Sequence, residues 1–208
     1  MPRLVYFADP MCSWCYGFGV QLTRLLEHEN SLEVLLVMGG LRPFNKKVTD
    51  AAFKEMLRGH WKHVRELSGL PISETILERD DFVYDTEPAC RAVVTYRGHQ
   101  PAAALAYFAS VQNAFYREGL DVTQGDVLAD IAVGHGMERE VFLRGWESDE
   151  ARQATGEDFK TAQSVGVTGF PTVAIEHDGG LHAIAAGYTS VEEMTQRVAR
   201  IRAGESPV

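Results

Sequence analysis

The stretch RLVYFADPMCSWCYGFG, residues 3–19, is the part of this 208-residue chain that decides its fold. Its first six residues are almost continuously apolar, which predicts a short strand buried on both faces. Asp9 and Pro10 then end the strand. After Cys12, apolar residues recur at helical spacing, which predicts an amphipathic helix. The residues on its apolar face are Phe18, Leu22, Leu25 and Leu26.

A second buried strand follows in LEVLLVMGG, residues 32–40. Strand, helix and strand in so short a stretch predict a βαβ unit, with parallel strands and a right-handed crossover. Open α/β sheets usually place their active sites at the end of a strand, where the helix begins. The two cysteines, Cys12 and Cys15, lie at that junction.

The rest of the chain divides into a helical part and a second strand-rich part. Residues 44–165 show recurrent helical periodicity and few strand signals, which predicts an all-helical insertion domain. Residues 169–187 contain two strand-like runs joined by HDGG, a hairpin signal, and a last helix runs from the N-cap Ser190 to Arg202. The prediction is an α/β fold of order βαβ…ββα, with residues 1–43 and 166–208 forming one domain around the insertion.

Composition and charge exclude some classes of protein. Hydrophobic residues make up 45% of the chain and charged residues 24%, as in ordinary globular proteins. The 20 basic residues are outnumbered by 29 acidic ones, giving a net charge of −9. Nucleic-acid-binding proteins present basic surfaces to phosphates, so we predict no nucleic-acid partner.

No part of the sequence has the pattern of a membrane or export segment. No run approaches the ~18 apolar residues that span a bilayer, and the N-terminal stretch lacks a signal-peptide pattern. We therefore expect no membrane partner and a cytoplasmic location. The sequence carries no signal for an oligomeric state.

The spacing of Cys12 and Cys15 favours thiol–disulfide exchange. A helix N-terminus carries partial positive charge, which stabilises a thiolate on its first residues. Cys12 is thus the more exposed, attacking cysteine. Cys15, one turn later, is placed to close a small disulfide and to resolve a mixed disulfide with a substrate.

Two other roles compete for the same cysteines. A C-x-x-C pair supplies half of a tetrahedral zinc site, but two further ligands would be needed and the only other cysteine is Cys90. A purely structural disulfide across so few residues would constrain little chain entropy. We predict no metal site. We interpret Cys90 itself as a small buried apolar residue. The alternative is that Cys90 acts as a third redox partner.

The Phe170-Pro171 bond and the Trp14 side chain each have two possible interpretations. In VTGFPT, residues 167–172, Pro171 is either a proline at a strand edge or the second residue of a cis bond after Phe170. The sequence does not fix the isomer. Trp14, between the two cysteines, either forms part of a substrate-binding surface or shields Cys15.

The motifs together resemble a known family. The order of elements, the CSWC motif and the Gly-Phe-Pro-Thr turn resemble the DsbA-like branch of the thioredoxin superfamily. The stretches DPMCSWCYGF and YDTEPACRAVV resemble predicted protein-disulfide isomerases of bacterial cytoplasm, relatives of FrnE-type proteins.

The resemblance implies a thiol–disulfide oxidoreductase or protein-disulfide isomerase with a thioredoxin-like, DsbA-like fold. Cys12 matches the nucleophilic cysteine, Cys15 the resolving cysteine and Pro171 the cis-proline that faces them. Phe170 matches the residue that contacts substrate and tunes redox poise. The implied partners are protein thiol or disulfide clients, or glutathione as a redox partner, with no bound cofactor.

The sequence departs from the family pattern beside the cysteines. Superfamily members often carry a buried acid six residues before the first cysteine, where this chain has Tyr6, and Asp9 is the nearest acid. Ser13 and Trp14 replace the Pro-His pair of strongly oxidising periplasmic enzymes, so no imidazolium is available. We therefore expect a less oxidising pair than in those enzymes, tuned by Ser13, Tyr6 and Asp9.

Two alternative functions stay open. The same branch includes glutathione-dependent transferases and small-molecule isomerases, but those have no use for a resolving thiol such as Cys15. A non-enzymatic alternative is a redox-sensing or holdase module, in which the Cys12–Cys15 pair changes the shape of the helical insertion.

Overall fold

The protein, described by a computed structural model over residues 3–29 and 32–206, has one four-stranded sheet with helices around it. Among these residues, no helix is both long and apolar enough to cross a membrane. The strands are β1 (Arg3–Ala8), β2 (Glu33–Met38), β3 (Thr172–His177) and β4 (Gly180–Ala186). The α-helices are α1 (Ser13–His28), α2 (Ala51–Ser68), α3 (Glu87–His99), α4 (Ala104–Tyr116), α5 (Gly125–Gly134), α6 (Arg139–Glu147), α7 (Asp149–Ser164) and α8 (Val191–Arg202).

The predicted βαβ unit is present. β1 pairs with β2 in parallel, with Tyr6 opposite Leu36. On α1, the predicted apolar face is buried at Phe18, Leu22 and Leu25. The Phe18 ring lies 6.0 Å from the Tyr6 ring, so the helix packs on the strand that precedes the cysteines. This packing fixes the junction between β1 and α1.

The predicted hairpin and final helix are also present. The sheet order is β2-β1-β3-β4, and β3 runs antiparallel to both β1 and β4. At the hairpin turn, Asp178 and Gly179 have φ values of 48° and 76°. Both are left-handed, as a type I′ turn requires. The Ser190 hydroxyl caps α8 by accepting a hydrogen bond from the Glu193 N–H at 3.2 Å.

Six helices, α2 to α7, separate β2 from β3 in the chain. The first residues of the predicted insertion, 44–50, are not helical but form a loop with a bridge between Val48 and Val83. These residues precede the first helix of the insertion, because the N-cap of α2 is Asp50. The Asp50 carboxylate accepts a hydrogen bond from the Phe53 N–H at 2.8 Å, so α2 begins only after Asp50.

The helices are anchored to the edge of the sheet by a partly buried ion pair. Arg97 of α3 binds Asp158 of α7 through two contacts of 2.8 and 3.0 Å. Asp158 also accepts a hydrogen bond from the Met38 N–H of β2 at 2.8 Å. Most buried residues of the sheet and of the helices belong to one core cluster, while Val5, Phe7 and Val37 of the sheet form a second cluster with Ala162 of α7. The division of the chain into two domains stays a prediction.

Candidate active site

The CSWC motif lies between the end of β1 and the first turn of α1. Cys12 is the N-cap of α1, with an extended backbone (φ −87°, ψ 114°). Its N–H donates to the Asp9 carbonyl at 3.1 Å, and its side chain makes no capping hydrogen bond. The Cys12 sulfur is therefore placed at the N-terminal end of α1, where the helix dipole is positive.

Both cysteines of the motif are free thiols, and Cys12 is more covered than the sequence suggested. Cys12 is the more exposed of the two, as predicted, but only 3% of its surface is accessible, against 0% for Cys15. Part of the cover is the loop before β3, because the Cys12 Sγ donates to the Phe170 carbonyl at 3.6 Å. Only a small part of Cys12 faces solvent.

The Cys15 thiol is held in its protonated form. Burial raises the pKa of Cys15 well above its usual value, and the hydrogen-bonded Cys12 thiol raises it further. A buried thiol that keeps its proton is a poor nucleophile until a base accepts that proton. The two cysteines therefore differ chemically, because one lies at the helix end and the other behind it.

The loop that covers Cys12 contains a cis peptide bond between Phe170 and Pro171. The Pro171 carbonyl accepts a hydrogen bond from the Gly187 N–H at 2.8 Å, which ties the loop to the segment after β4. The Phe170 ring lies directly against Gly39, where an added Cβ would fall 2.0 Å from a ring carbon. Only glycine leaves room for the Phe170 ring in this position.

Tyr6 of β1 lies behind the CSWC motif. Its hydroxyl is buried beside the cysteines and makes no hydrogen bond of standard geometry among the described residues. Burial raises the pKa of Tyr6 well above its usual value, and the nearby Cys15 and Cys12 thiols raise it further. Tyr6 therefore supplies a neutral hydroxyl where many superfamily members have an acid.

Asp9 is a buried acid directly after β1, on the turn where the sequence placed it, because its carbonyl accepts the Cys12 N–H. Its carboxylate accepts hydrogen bonds from the Met11 and Leu41 N–H groups at 2.8 and 2.7 Å. The Cys90 thiol donates to the same carboxylate at 3.4 Å. Burial raises the pKa of Asp9, while these hydrogen bonds act in the opposite direction. Cys90 is thus buried, as predicted, but it is a hydrogen-bond donor rather than a purely apolar residue.

Trp14 and Ser13 form the start of α1 beside Cys12. Trp14 is half-buried, and its ring lies 5.5 Å from the His63 ring of α2. Ser13 is buried. The partial exposure of Trp14 leaves both of its predicted roles open, since the same side chain packs on the helical part and reaches the surface.

A family model described as "DSBA-like thioredoxin domain" matches residues 3–199. The chain belongs to the DsbA-like thioredoxin family. The predicted fold is therefore confirmed, and membership of this family of thiol–disulfide oxidoreductases supports the predicted oxidoreductase class.

Solved structures of DsbA-like proteins superpose over almost the whole chain. A candidate protein disulfide isomerase from Nitrosomonas europaea is 32% identical, with 98% of each chain covered and a TM-score of 0.91. The cytosolic disulfide reductase DsbM from Pseudomonas aeruginosa is 23% identical, covers 97% of this chain and 99% of its own, and gives a TM-score of 0.80. DsbM has also been solved with glutathione. At its lower identity, DsbM shows the shared fold.

A curated relative is the ClpXP adapter protein SpxH of Bacillus subtilis. It is 23% identical over 176 residues, which cover 83% of this chain. The match spans 58% of the length of SpxH. This relative therefore supports the same fold, and its partners are a property of that longer protein.

Two tyrosines to which the sequence assigned no role, one of them the first residue of YDTEPACRAVV, hold the motif of this DsbA-like protein in place. The hydroxyls of Tyr84 and Tyr116 both donate to the Met11 carbonyl, directly before Cys12. They lie 73 and 105 positions from Met11, so no local pattern could have indicated them. The Tyr116 ring also stacks on Tyr16 of α1, with centroids 4.9 Å apart.

The described residues contain no group of three or more histidine, cysteine or acidic side chains placed to hold a metal ion. Cys90 points to Asp9, while His63 lies against Trp14. Cys90 and His63, two of the residues that could have completed a zinc site with Cys12 and Cys15, thus have other contacts.

Proposed function

We propose that the protein exchanges disulfides with protein substrates, with Cys12 as the attacking thiol and Cys15 as the resolving thiol. The observation that carries this proposal is the position of Cys12 at the N-cap of α1, facing the Phe170 carbonyl, with Cys15 buried one turn behind it. One thiol is placed for attack from outside. The other is hidden from clients but adjacent to the first.

The reaction balances in two steps. The Cys12 thiolate attacks a client disulfide, a new S–S bond forms to Cys12, and the displaced client sulfur takes up a proton. Cys15 then loses its proton and attacks the Cys12 sulfur, which releases the second client thiol. The client gains two electrons and two protons, and the protein is left with a Cys12–Cys15 disulfide that two molecules of glutathione can reduce.

We infer that the pair works in the reducing or isomerising direction. A dithiol is strongly oxidising when its reduced form is specially stabilised. Here burial disfavours the Cys15 thiolate, and neither Ser13 nor Trp14 supplies a positive charge. These features favour a less oxidising pair, as the sequence analysis expects. The proposed location is the cytoplasm, where a reducing thiol pool is available.

Asp9 is the proposed acceptor of the Cys15 proton. It is an acidic side chain buried behind the motif, its pKa is raised, and its charge acts on the Cys15 thiol. Tyr6, whose hydroxyl lies beside Cys15, stabilises the thiolate during resolution in the proposal. Ser13 supplies a further hydroxyl near Cys12.

Phe170, Pro171 and Trp14 are the proposed substrate contacts. Phe170 and Trp14 are half-buried side chains on the two sides of Cys12, one on the loop before β3 and one on α1. Pro171 is buried and sets the direction of the Phe170 carbonyl toward the Cys12 sulfur. A client segment would therefore lie between the loop and the start of α1.

Replacing Cys15 with serine should trap the first intermediate. Serine cannot resolve the Cys12 mixed disulfide, so Cys15→Ser should accumulate covalent adducts with a disulfide-containing protein such as insulin. The adducts would be seen on non-reducing gels and would disappear with dithiothreitol. Cys90→Ser with intact Cys12 and Cys15 serves as the control and should resolve its adducts like the wild type.

The same variant distinguishes the alternative functions. A glutathione-dependent transferase or isomerase would keep turning over after Cys15→Ser, and it would form no client adducts. A redox-sensing or holdase module would lose only its response to oxidation. Either result would contradict the proposed exchange reaction.

A further inference from the structure

The segment between β2 and α2 forms a surface beside the active site, which we call the Phe44 loop (residues 39–48). It begins under the loop that covers Cys12, because Gly39 packs against the Phe170 ring. The next residue, Gly40, packs against the ring of Phe159 on α7, and the Phe44 ring meets Phe159 edge-on at 6.4 Å. Apolar contacts therefore lead from Phe170 to Phe44.

Phe44 is held in an exposed and unfavourable conformation. Its side chain is 66% exposed and its φ is 62°, a left-handed value that is an outlier for a bulky residue. The Phe44 N–H donates to the Asp85 carboxylate at 2.8 Å, and the Asn45 amide donates to the Tyr84 carbonyl at 3.2 Å. Strain of this kind persists where surrounding contacts determine it, and it often marks functional surfaces.

Further hydrogen bonds fix the base of the Phe44 loop. The Arg42 N–H donates to the Thr86 hydroxyl at 3.1 Å, and the Thr86 N–H donates to the Arg42 carbonyl at 3.2 Å. The Thr49 N–H donates to the Phe82 carbonyl at 2.8 Å. The backbone is thus ordered before any client binds, which lowers the entropy cost of binding on this surface.

The Phe44 loop is also positively charged on an acidic protein. Residues 41–48 include Arg42, Lys46 and Lys47 and no acidic residue, while the whole chain carries a net charge of −9. All three cations are exposed, and none has an ion-pair partner among the described residues. The nearby Asp85 carboxylate accepts two backbone N–H groups at Oδ1 and keeps its charge, so the three cations outnumber it. The surface would attract carboxylates and repel cations.

We propose that the Phe44 loop binds protein clients in which the reactive cysteine is accompanied by a large apolar side chain and an acidic residue. The inference rests on the proposed exchange function and adds its substrate class. The apolar client side chain packs on Phe44, and the client carboxylate lies near Lys46 and Lys47. Glutathione carries carboxylates but no large apolar side chain, so it would use only the charge of this surface.

Rates of exchange with matched peptides test the proposal. Four short peptides share one cysteine, carried as a mixed disulfide with 2-mercaptoethanol, and differ only in Phe or Gly and in Asp or Lys nearby. The reduced wild-type protein should react with the Phe–Asp peptide about tenfold faster than with the Gly–Lys peptide. The preference for Asp should decrease at high salt, because exposed charges are screened.

Two kinds of variant separate the apolar and charged contributions. Phe44→Gly removes the ring and suits the left-handed backbone, so the fold should be retained. It should abolish most of the preference for Phe. Lys46→Glu with Lys47→Glu should reverse the preference between Asp and Lys. The control, Arg24→Glu with Arg144→Glu, changes the net charge equally at exposed sites on α1 and α6, and it should leave both preferences unchanged.

Bis(2-hydroxyethyl) disulfide, which is small and neutral, reports the basal reaction. If the wild type fails to react with it, the proposed function itself is wrong. If all variants react with it normally but the four peptides are not discriminated by the wild type, the function stands and the Phe44 loop proposal is wrong. The proposal would also be overturned if the Phe44 loop variants reacted more slowly than the wild type with glutathione disulfide but not with the peptides. That result would assign the loop to glutathione.

Discussion

Replacing Cys12 with serine is expected to abolish catalysed disulfide exchange. Disulfides are attacked by thiolates, and a serine hydroxyl stays protonated and unreactive toward sulfur at neutral pH. Cys15 cannot take over the attack, because it is fully buried and burial raises its pKa. We expect the rate of glutathione-coupled reduction of bis(2-hydroxyethyl) disulfide to decrease by on the order of a hundredfold or more.

The Cys90→Ser variant is the matched control for this experiment. Cys90 is also a buried thiol, but it faces Asp9 rather than a client-accessible surface. Its replacement should leave exchange within a few-fold of the wild type. Wild-type rates in Cys12→Ser, or an equal loss in Cys90→Ser, would show that Cys12 is not the nucleophile.

The reduced protein is expected to lose stability as the pH rises above the usual thiol range. Stability follows the difference in bound protons between the unfolded and folded states. Burial raises the pKa of Cys15 and Cys90 well above the ordinary value, whereas thiols of the unfolded chain titrate near pH ~8.5. Above that pH the unfolded chain releases protons that the folded chain keeps.

The free energy of unfolding therefore decreases as the pH rises through this range. The contribution of each buried thiol is fully present below pH ~8.5 and is lost as the pH rises toward the folded pKa. One pH unit above the ordinary value, the loss is roughly 1–2 kcal/mol for each thiol, or about 3 kcal/mol for the pair. Urea unfolding of the reduced protein at neutral pH and at pH ~9.5 measures this difference, to which the buried tyrosines, with an ordinary pKa near ~10, add a smaller loss.

Cys90→Ser isolates half of the effect, because serine keeps a hydroxyl that can donate to Asp9 but does not ionise in this range. Its loss of stability between the two pH values should be about half that of the wild type. Equal losses in both proteins, or a wild type whose unfolding free energy does not change, would contradict the assigned protonation of these buried thiols.

The local parts of the fold were predictable because they depend on neighbouring residues. The strand, turn and helix around CSWC, the helical face of Phe18, Leu22 and Leu25, and the HDGG hairpin all follow from short-range patterns. The start of α2 is also set locally, by the Asp50 side chain that caps the helix. A single polar side chain decides where that helix begins.

The surroundings of the cysteines were less predictable because they are assembled from distant segments. Asp9 lies on the turn as expected, but its hydrogen-bond partners Leu41 and Cys90, which lie 32 and 81 positions away, could not be predicted. The tyrosines that hold Met11 and the glycine that accommodates Phe170 likewise come from other elements. The reactive cysteine pair can be predicted from a local sequence pattern. The groups that surround the two cysteines are brought together by packing between distant segments, which a local pattern does not show.

The redox state of the Cys12–Cys15 pair in defined glutathione buffers tests the central claim most directly. After equilibration, the protein is quenched in acid, free thiols are alkylated, and each cysteine is located by mass spectrometry. We expect a disulfide between Cys12 and Cys15 in oxidising buffers, with Cys90 alkylated throughout, and a two-electron dependence on the buffer potential. If Cys12 and Cys15 are still alkylated in strongly oxidising buffer, or if the protein copurifies with stoichiometric zinc, the oxidoreductase assignment of this motif is wrong.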